Sequence, residues 1–75
     1  MSDLHWAIVL ETHRDETNQM WGKVLAYCGT WQKGEGKAHE AAYTIAPEGE
    51  INGRLVTAFR SMTALEPGDT TKICF

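Results

Sequence analysis

The segment Leu4–Thr12, LHWAIVLET, constrains this chain more than any other. It is short, β-branched and aromatic, so it reads as a strand. Leu4, Trp6, Ile8 and Leu10 alternate onto one face, and Ala7 and Val9 onto the other. Both faces are apolar, the pattern of a central strand covered on two sides. A chain of 75 residues must therefore supply two covers from very little material. A domain of this size buries only about 60% of its unfolded surface. Its single core rarely supplies more than about 3–5 kcal/mol, so a staple or a partner is expected.

The remaining elements follow from turn residues and periodicity. His13–Gln19 is polar and reads as a loop. Met20–Trp31, MWGKVLAYCGTW, reads as a second strand: it is rich in aromatic and β-favouring residues, and Gly22 is costly inside a helix. The alternative is a helix with an apolar stripe of Met20, Val24, Tyr27, Cys28 and Trp31. Gln32–Lys37, QKGEGK, reads as a glycine-rich hairpin loop, and Ala38–Ala46 as the return strand, ended by Pro47. Ile51, Leu55, Ala58, Phe59, Met62 and Leu65 recur at helical spacing, with Arg54, Thr57, Arg60 and Ser61 opposite them. That spacing predicts an amphipathic helix over Ile51–Leu65, stopped at Pro67–Gly68. Thr70–Phe75 then reads as a strand running parallel to an earlier one. The expected architecture is one α+β domain over residues 1–75: a small β-β-β-α-β sheet with one amphipathic helix on one face. The alternative order is β-α-β-α-β.

Charge and composition narrow the function classes. Seven Lys and Arg stand against ten Asp and Glu, a net charge of −3, and the cations are scattered singly. Nucleic-acid and anionic-membrane surfaces need clustered cations, so neither partner is expected. Cys28 and Cys74 sit in apolar segments and read as buried small hydrophobes. The apolar run Trp6–Leu10 is too short for a signal-peptide core or a membrane span. Cytoplasmic residence is the expectation.

The order and wording of the segments resemble the N-terminal half of the ribonuclease H-like fold. Trp21-Gly22 followed by Val24-Leu25-Ala26-Tyr27 is similar to that family's second strand. Tyr43 to Glu50 is similar to its third strand, and Arg54-Leu55 through Thr63-Ala64-Leu65 to its first helix. Pro67-Gly68-Asp69 and Thr71-Lys72-Ile73 are similar to the turn and fourth strand. The family's chemistry needs carboxylates around two divalent metals. The resemblance places the first acid on Glu11, a Glu where the family has Asp. The second falls on Arg54, whose cation repels a metal, and the third has no counterpart before Phe75. The resemblance thus implies the fold without its catalysis. Antitoxins of the HicB kind use a partial fold of this type.

Weighed by residue type, no catalytic group stands out. Glu11, His13 and Asp15, beside Glu16, form the densest polar cluster and are the secondary metal candidates. His5 and His39 read as structural or surface groups. A Cys28–His39 nucleophile pair across the predicted hairpin has no support from spacing. Gly34-Glu35-Gly36 lacks the chemistry of a phosphate loop. The three tryptophans read first as core and second as interface. With one helix covering one sheet face, the other face and the edge TTKICF need a cover, which a homodimer supplies. The interface candidates are Trp6, Ile8, Leu10, Trp21, Trp31, Cys74 and Phe75; Arg54 and Arg60 are the only nucleic-acid candidates. The expectation is a non-catalytic, self-associating interaction or binding module that needs no cofactor and binds another protein or a small ligand. The alternatives are an antitoxin-like nucleic-acid-binding dimer and a metal-dependent phosphodiesterase assembled across a dimer. Glu11→Gln is the discriminating variant for that enzyme, through loss of a Mg²⁺ or Mn²⁺ thermal shift.

Overall fold

The computed structural model describes residues 4–73 of the chain, without the side chains of Trp31 and Gln32. Its elements are β1 (His5–Arg14), β2 (Met20–Thr30), α1 (Trp31–Ile45), β3 (Glu50–Ile51), β4 (Arg54–Ser61) and β5 (Thr70–Lys72). The five strands form one sheet in the order β3-β4-β1-β2-β5, with every neighbouring pair antiparallel. The α+β class and a single helix on one sheet face hold. The order of elements, β-β-α-β-β-β, does not match the expected β-β-β-α-β, nor the β-α-β-α-β alternative.

β1 lies between β4 and β2, as its two apolar faces require. Ile8, Val9 and Ala7 are at most 1% exposed. Burying an Ile or Val side chain stabilises by about 1.5–3 kcal/mol. On one face Ile8 packs with Val56 and Ala46, flanked by Leu10, Leu25, Ala26, Cys28, Ala41 and Ala42. Helix α1 covers this face. On the other face Ala7, Val9, Met20, Val24 and Ile73 form a second cluster, joined by Leu55, Phe59 and Leu65. On the face expected to be bare, the chain itself supplies Leu65, from the segment between β4 and β5, and Ile73, just after β5, to the cluster.

Three local assignments are corrected. Gln32–Ala46 is not a loop and a strand, because α1 spans nearly all of it. The helix turns Gly34, Ala38, Ala41 and Ala42 toward the sheet, an i, i+4, i+7, i+8 pattern built from small residues. Gly34 is required by close approach: a Cβ there would lie 2.4 Å from the Gly29 carbonyl oxygen and 3.2 Å from Trp6 Cδ1. Glycine weakens a helix, and here it lets the helix seat on β1 and β2. The helix ends at Ala46, whose N–H donates to Ala42 O at 2.8 Å, immediately before Pro47. The residue preceding proline is pushed out of the helical region.

Ile51–Leu65 is not a helix. Asn52 (φ 52°) and Gly53 (φ 79°) form a two-residue turn with both central residues in the left-handed region. That conformation joins antiparallel strands with the right twist and favours Asn-Gly. β4 carries apolar residues on both faces, with half-buried Leu55 and Phe59 on one and buried Val56 and half-buried Ala58 on the other. A strand apolar on both sides mimics helical spacing over a short window. Last, β5 is antiparallel to β2, not parallel to an earlier strand, because the chain reaches it through a turn at Glu66–Asp69 rather than a crossover helix.

Candidate interaction edge

The two rims of the sheet differ in how they end. On the β5 rim, β5 pairs with Trp21, Gly22 and Lys23 of β2. Val24 continues this contact, donating to Asp69 O and accepting from Gly68 N, both at 2.8 Å. Beyond Val24, among the described residues, the outer side of β2 has no strand beside it. That stretch is interrupted twice. Ile8 pairs with Ala26 and Val9 with Val24, which leaves Leu25 as an extra residue; Trp6 pairs with Gly29 and Ala7 with Tyr27, which leaves Cys28 extra. Bulges of this kind break the regular row of donors and acceptors that an incoming strand needs.

The β4 rim is regular. His5 to Leu10 pair one for one with Ser61 to Val56, with no register shift. β3 covers only Arg54 and Leu55 of β4. The Val56 N–H donates outward to Gly49 O at 3.0 Å. Backbone groups in an antiparallel ladder point alternately to the two sides. The N–H and C=O groups of Ala58 and Arg60 therefore point outward as well. Among the described residues they have no backbone partner; the Ala58 carbonyl accepts only the Thr57 hydroxyl, at 3.2 Å. Thr57–Ser61 is thus a five-residue stretch of open sheet edge in unbroken register with β1. Arg60 is exposed, and Met62, 64% exposed, follows the strand directly.

The polar candidates are engaged in turn and strand contacts. Glu11 Oε1 accepts the Leu55 N–H at 3.2 Å. The Asp15 carboxylate closes the β1–β2 turn. It accepts Thr17 Oγ1 (2.6 Å), Thr17 N (2.9 Å), Gln19 N (3.0 Å) and Trp21 Nε1 (2.8 Å). The Thr17 hydroxyl and the Trp21 indole N–H hold its carboxyl well below the usual carboxylate range. His13 is exposed and stacks on Trp21, rings 6.3 Å apart and 3° from parallel; its Nδ1 lies 3.0 Å from Thr12 Oγ1. Lys72 Nζ sits 5.6 Å from the centre of the Trp21 ring. Among the described residues, no three His, Cys, Asp or Glu side chains are grouped as ligands of one metal ion.

The other candidates are dispersed. Ile8 is sealed beneath α1 and cannot reach a partner from the folded state. Leu10 is half-buried on the same face. Trp6 is half-buried, its ring 5.7 Å from that of His39. His5 bonds the Tyr27 hydroxyl through Nδ1 at 2.8 Å. Cys28 and His39 do not form a pair: burial pushes the Cys28 thiol up, and its charged neighbour is Lys37. The Trp31 side chain, Cys74 and Phe75 lie outside the described residues. Arg54 and Arg60 fall at opposite ends of β4, about 20 Å apart along the strand. An open depression of about 360 Å³ lies along α1, lined by Lys37, Glu40, Ala41, Thr44 and Ile45. It has no strand residue in its wall.

The β4 rim was missed from sequence because Ile51–Leu65 reads as a helix. The Asn52-Gly53 dipeptide was the signal that could have found it. No family model, no curated protein and no solved structure matches the chain. The ribonuclease H-like resemblance rests on the sequence wording, and the helix it placed at Arg54–Leu65 is strand β4 and the turn after it. No helix among the described residues is long and apolar enough to cross a membrane.

Proposed function

We propose that this chain is a non-catalytic, self-associating interaction module of the cytoplasm, acting by strand addition at the outer rim of β4. One observation carries the reading. Thr57–Ser61 offers regular, outward-pointing backbone groups on an otherwise closed two-faced core, while the opposite rim is broken by bulges. Edge-strand addition draws its affinity from main-chain hydrogen bonds and its selectivity from alternate side chains. The expected self-association therefore moves from an uncovered face to an uncovered edge.

Sedimentation velocity across a concentration series tests this reading, with Ala58→Pro as the diagnostic variant. Proline at position 58 removes an outward N–H and leaves the inward bonds of Thr57 and Phe59 to β1 in place. The native chain is expected to gain mass with concentration, and the variant to stay monomeric with a native circular dichroism spectrum. A native chain that remains monomeric at several hundred micromolar refutes the reading.

A further inference from the structure

We infer that the partner at this rim is a second copy of the chain, docked about a two-fold axis at Phe59 so that the two five-stranded sheets become one. The inference rests on the edge-strand reading and adds the partner's orientation and register.

Two limits on the free edge set that register. At one end the rim is taken at Val56, whose N–H already bonds Gly49 O. At the other end β4 stops at Ser61. An antiparallel partner centred on Phe59 brings its own Ser61 opposite Thr57 and leaves the sheet where β3 begins. A shift in one direction pushes the partner into Gly49; a shift in the other leaves open edge unpaired. In the centred register Ala58 faces the partner's Arg60, and Arg60 the partner's Ala58. These are the residues whose backbone groups point outward, so both pairs are hydrogen-bonded pairs. Thr57–Ser61 and Phe59–Phe59 become the non-hydrogen-bonded pairs, whose side chains approach more closely.

The side chains agree with this placement. Phe59 already packs on the Ala7–Val9 cluster, and its partner copy would extend that cluster across the axis as an aromatic cross-strand pair. On the α1 side, each Arg60 stem lies over the partner's small Ala58 with its guanidinium in water. No two like charges stand directly opposite each other. The axis is perpendicular to the sheet, so each copy uses the same patch and the assembly closes at two.

Disulfide trapping reads the register. Thr57→Cys/Ser61→Cys is made in a Cys28→Ser/Cys74→Ser background and oxidised with glutathione disulfide. Within one chain these positions are about 13 Å apart along the strand, too far for a disulfide. The expected result is a covalent dimer with two 57–61 links, while each single-cysteine variant stays monomeric on non-reducing gels. On the unmodified chain, hydrogen exchange gives a second reading: the Ala58 and Arg60 amides slow at least tenfold on going from dilute to concentrated protein, and Val56 is slow in both. A sedimenting dimer that protects the Ala58 and Arg60 amides but gives no 57–61 link overturns the register while leaving edge association intact, and a dimer without that protection overturns both. A chain that is monomeric throughout overturns both.

Discussion

Gly34 and Gly36 lie two residues apart in the same helix, and replacing each by alanine separates packing from propensity. Both substitutions gain the same helix term, about 1 kcal/mol per glycine replaced. At Gly36 a Cβ meets nothing within 4 Å, so that gain is the whole effect. At Gly34 the added Cβ lies 2.4 Å from Gly29 O and 2.5 Å from Gly29 C. Ordinary contact begins near 3.4 Å, so the helix must retreat from the sheet by about 1 Å, because the atoms it meets are backbone and cannot rotate away. Overpacking costs about 1–3 kcal/mol; the rigid neighbour argues for the upper end, which leaves a net loss of about 2 kcal/mol. In a chain of this size 1 kcal/mol moves Tm by about 4–8 °C. Gly36→Ala should melt about 4–8 °C above the native chain, and Gly34→Ala about 8–16 °C below it, followed by circular dichroism and checked by urea titration. Equal stabilisation by the two substitutions would refute the close seating of α1 on Gly29 and Trp6.

Further outcomes follow from other sites. Gly22→Ala places a Cβ 2.4 Å from Val9 Cγ1 and 2.6 Å from Ile73 Cδ1; a loss of about 1–3 kcal/mol is expected in urea unfolding, partly recovered by Ile73→Val. Because the folded Asp15 carboxyl titrates below its ordinary value of 3.8, its contribution is complete above that pH and is lost as pH falls below it. Acid titration followed by Trp21 fluorescence should therefore show a weaker acid dependence of stability in Asp15→Asn, with the β1–β2 turn loosened at neutral pH. The half-buried Cys28 thiol, pushed up by desolvation, should react with a disulfide reagent more slowly at pH 7 than an exposed cysteine does, measured in a Cys74→Ser background; an equal rate would contradict its packing against the Ile8 cluster.

The candidate edge shows why a helix could be misplaced by twenty residues while the fold class survived. β4 carries apolar residues on both faces because the sheet is covered twice. Leu55, Ala58 and Phe59 then imitate a helical stripe running on from Ile51, and only Asn52-Gly53 marks the turn that makes them a strand. Helix α1 hides for the opposite reason. Its buried face is glycine and alanine, which carry little hydrophobic signal, and its size is set by the distance to Gly29 and Trp6. The β1–β2 turn was legible as polar residues, but the four bonds that Asp15 accepts depend on Trp21 returning from the next strand.

Sequence alone determined that β1 is central, that β2 and β5 are strands, and that one helix completes an α+β domain. Those features rest on side-chain alternation and turn chemistry within a few residues of one another. Tertiary structure decided where the helix lies, what covers the second face, and which rim stays open. Each of these depends on distances between segments remote in sequence: the Gly34–Gly29 approach, Ile73 over Gly22, and the meeting of Val56 with Gly49. Local periodicity holds no record of such distances.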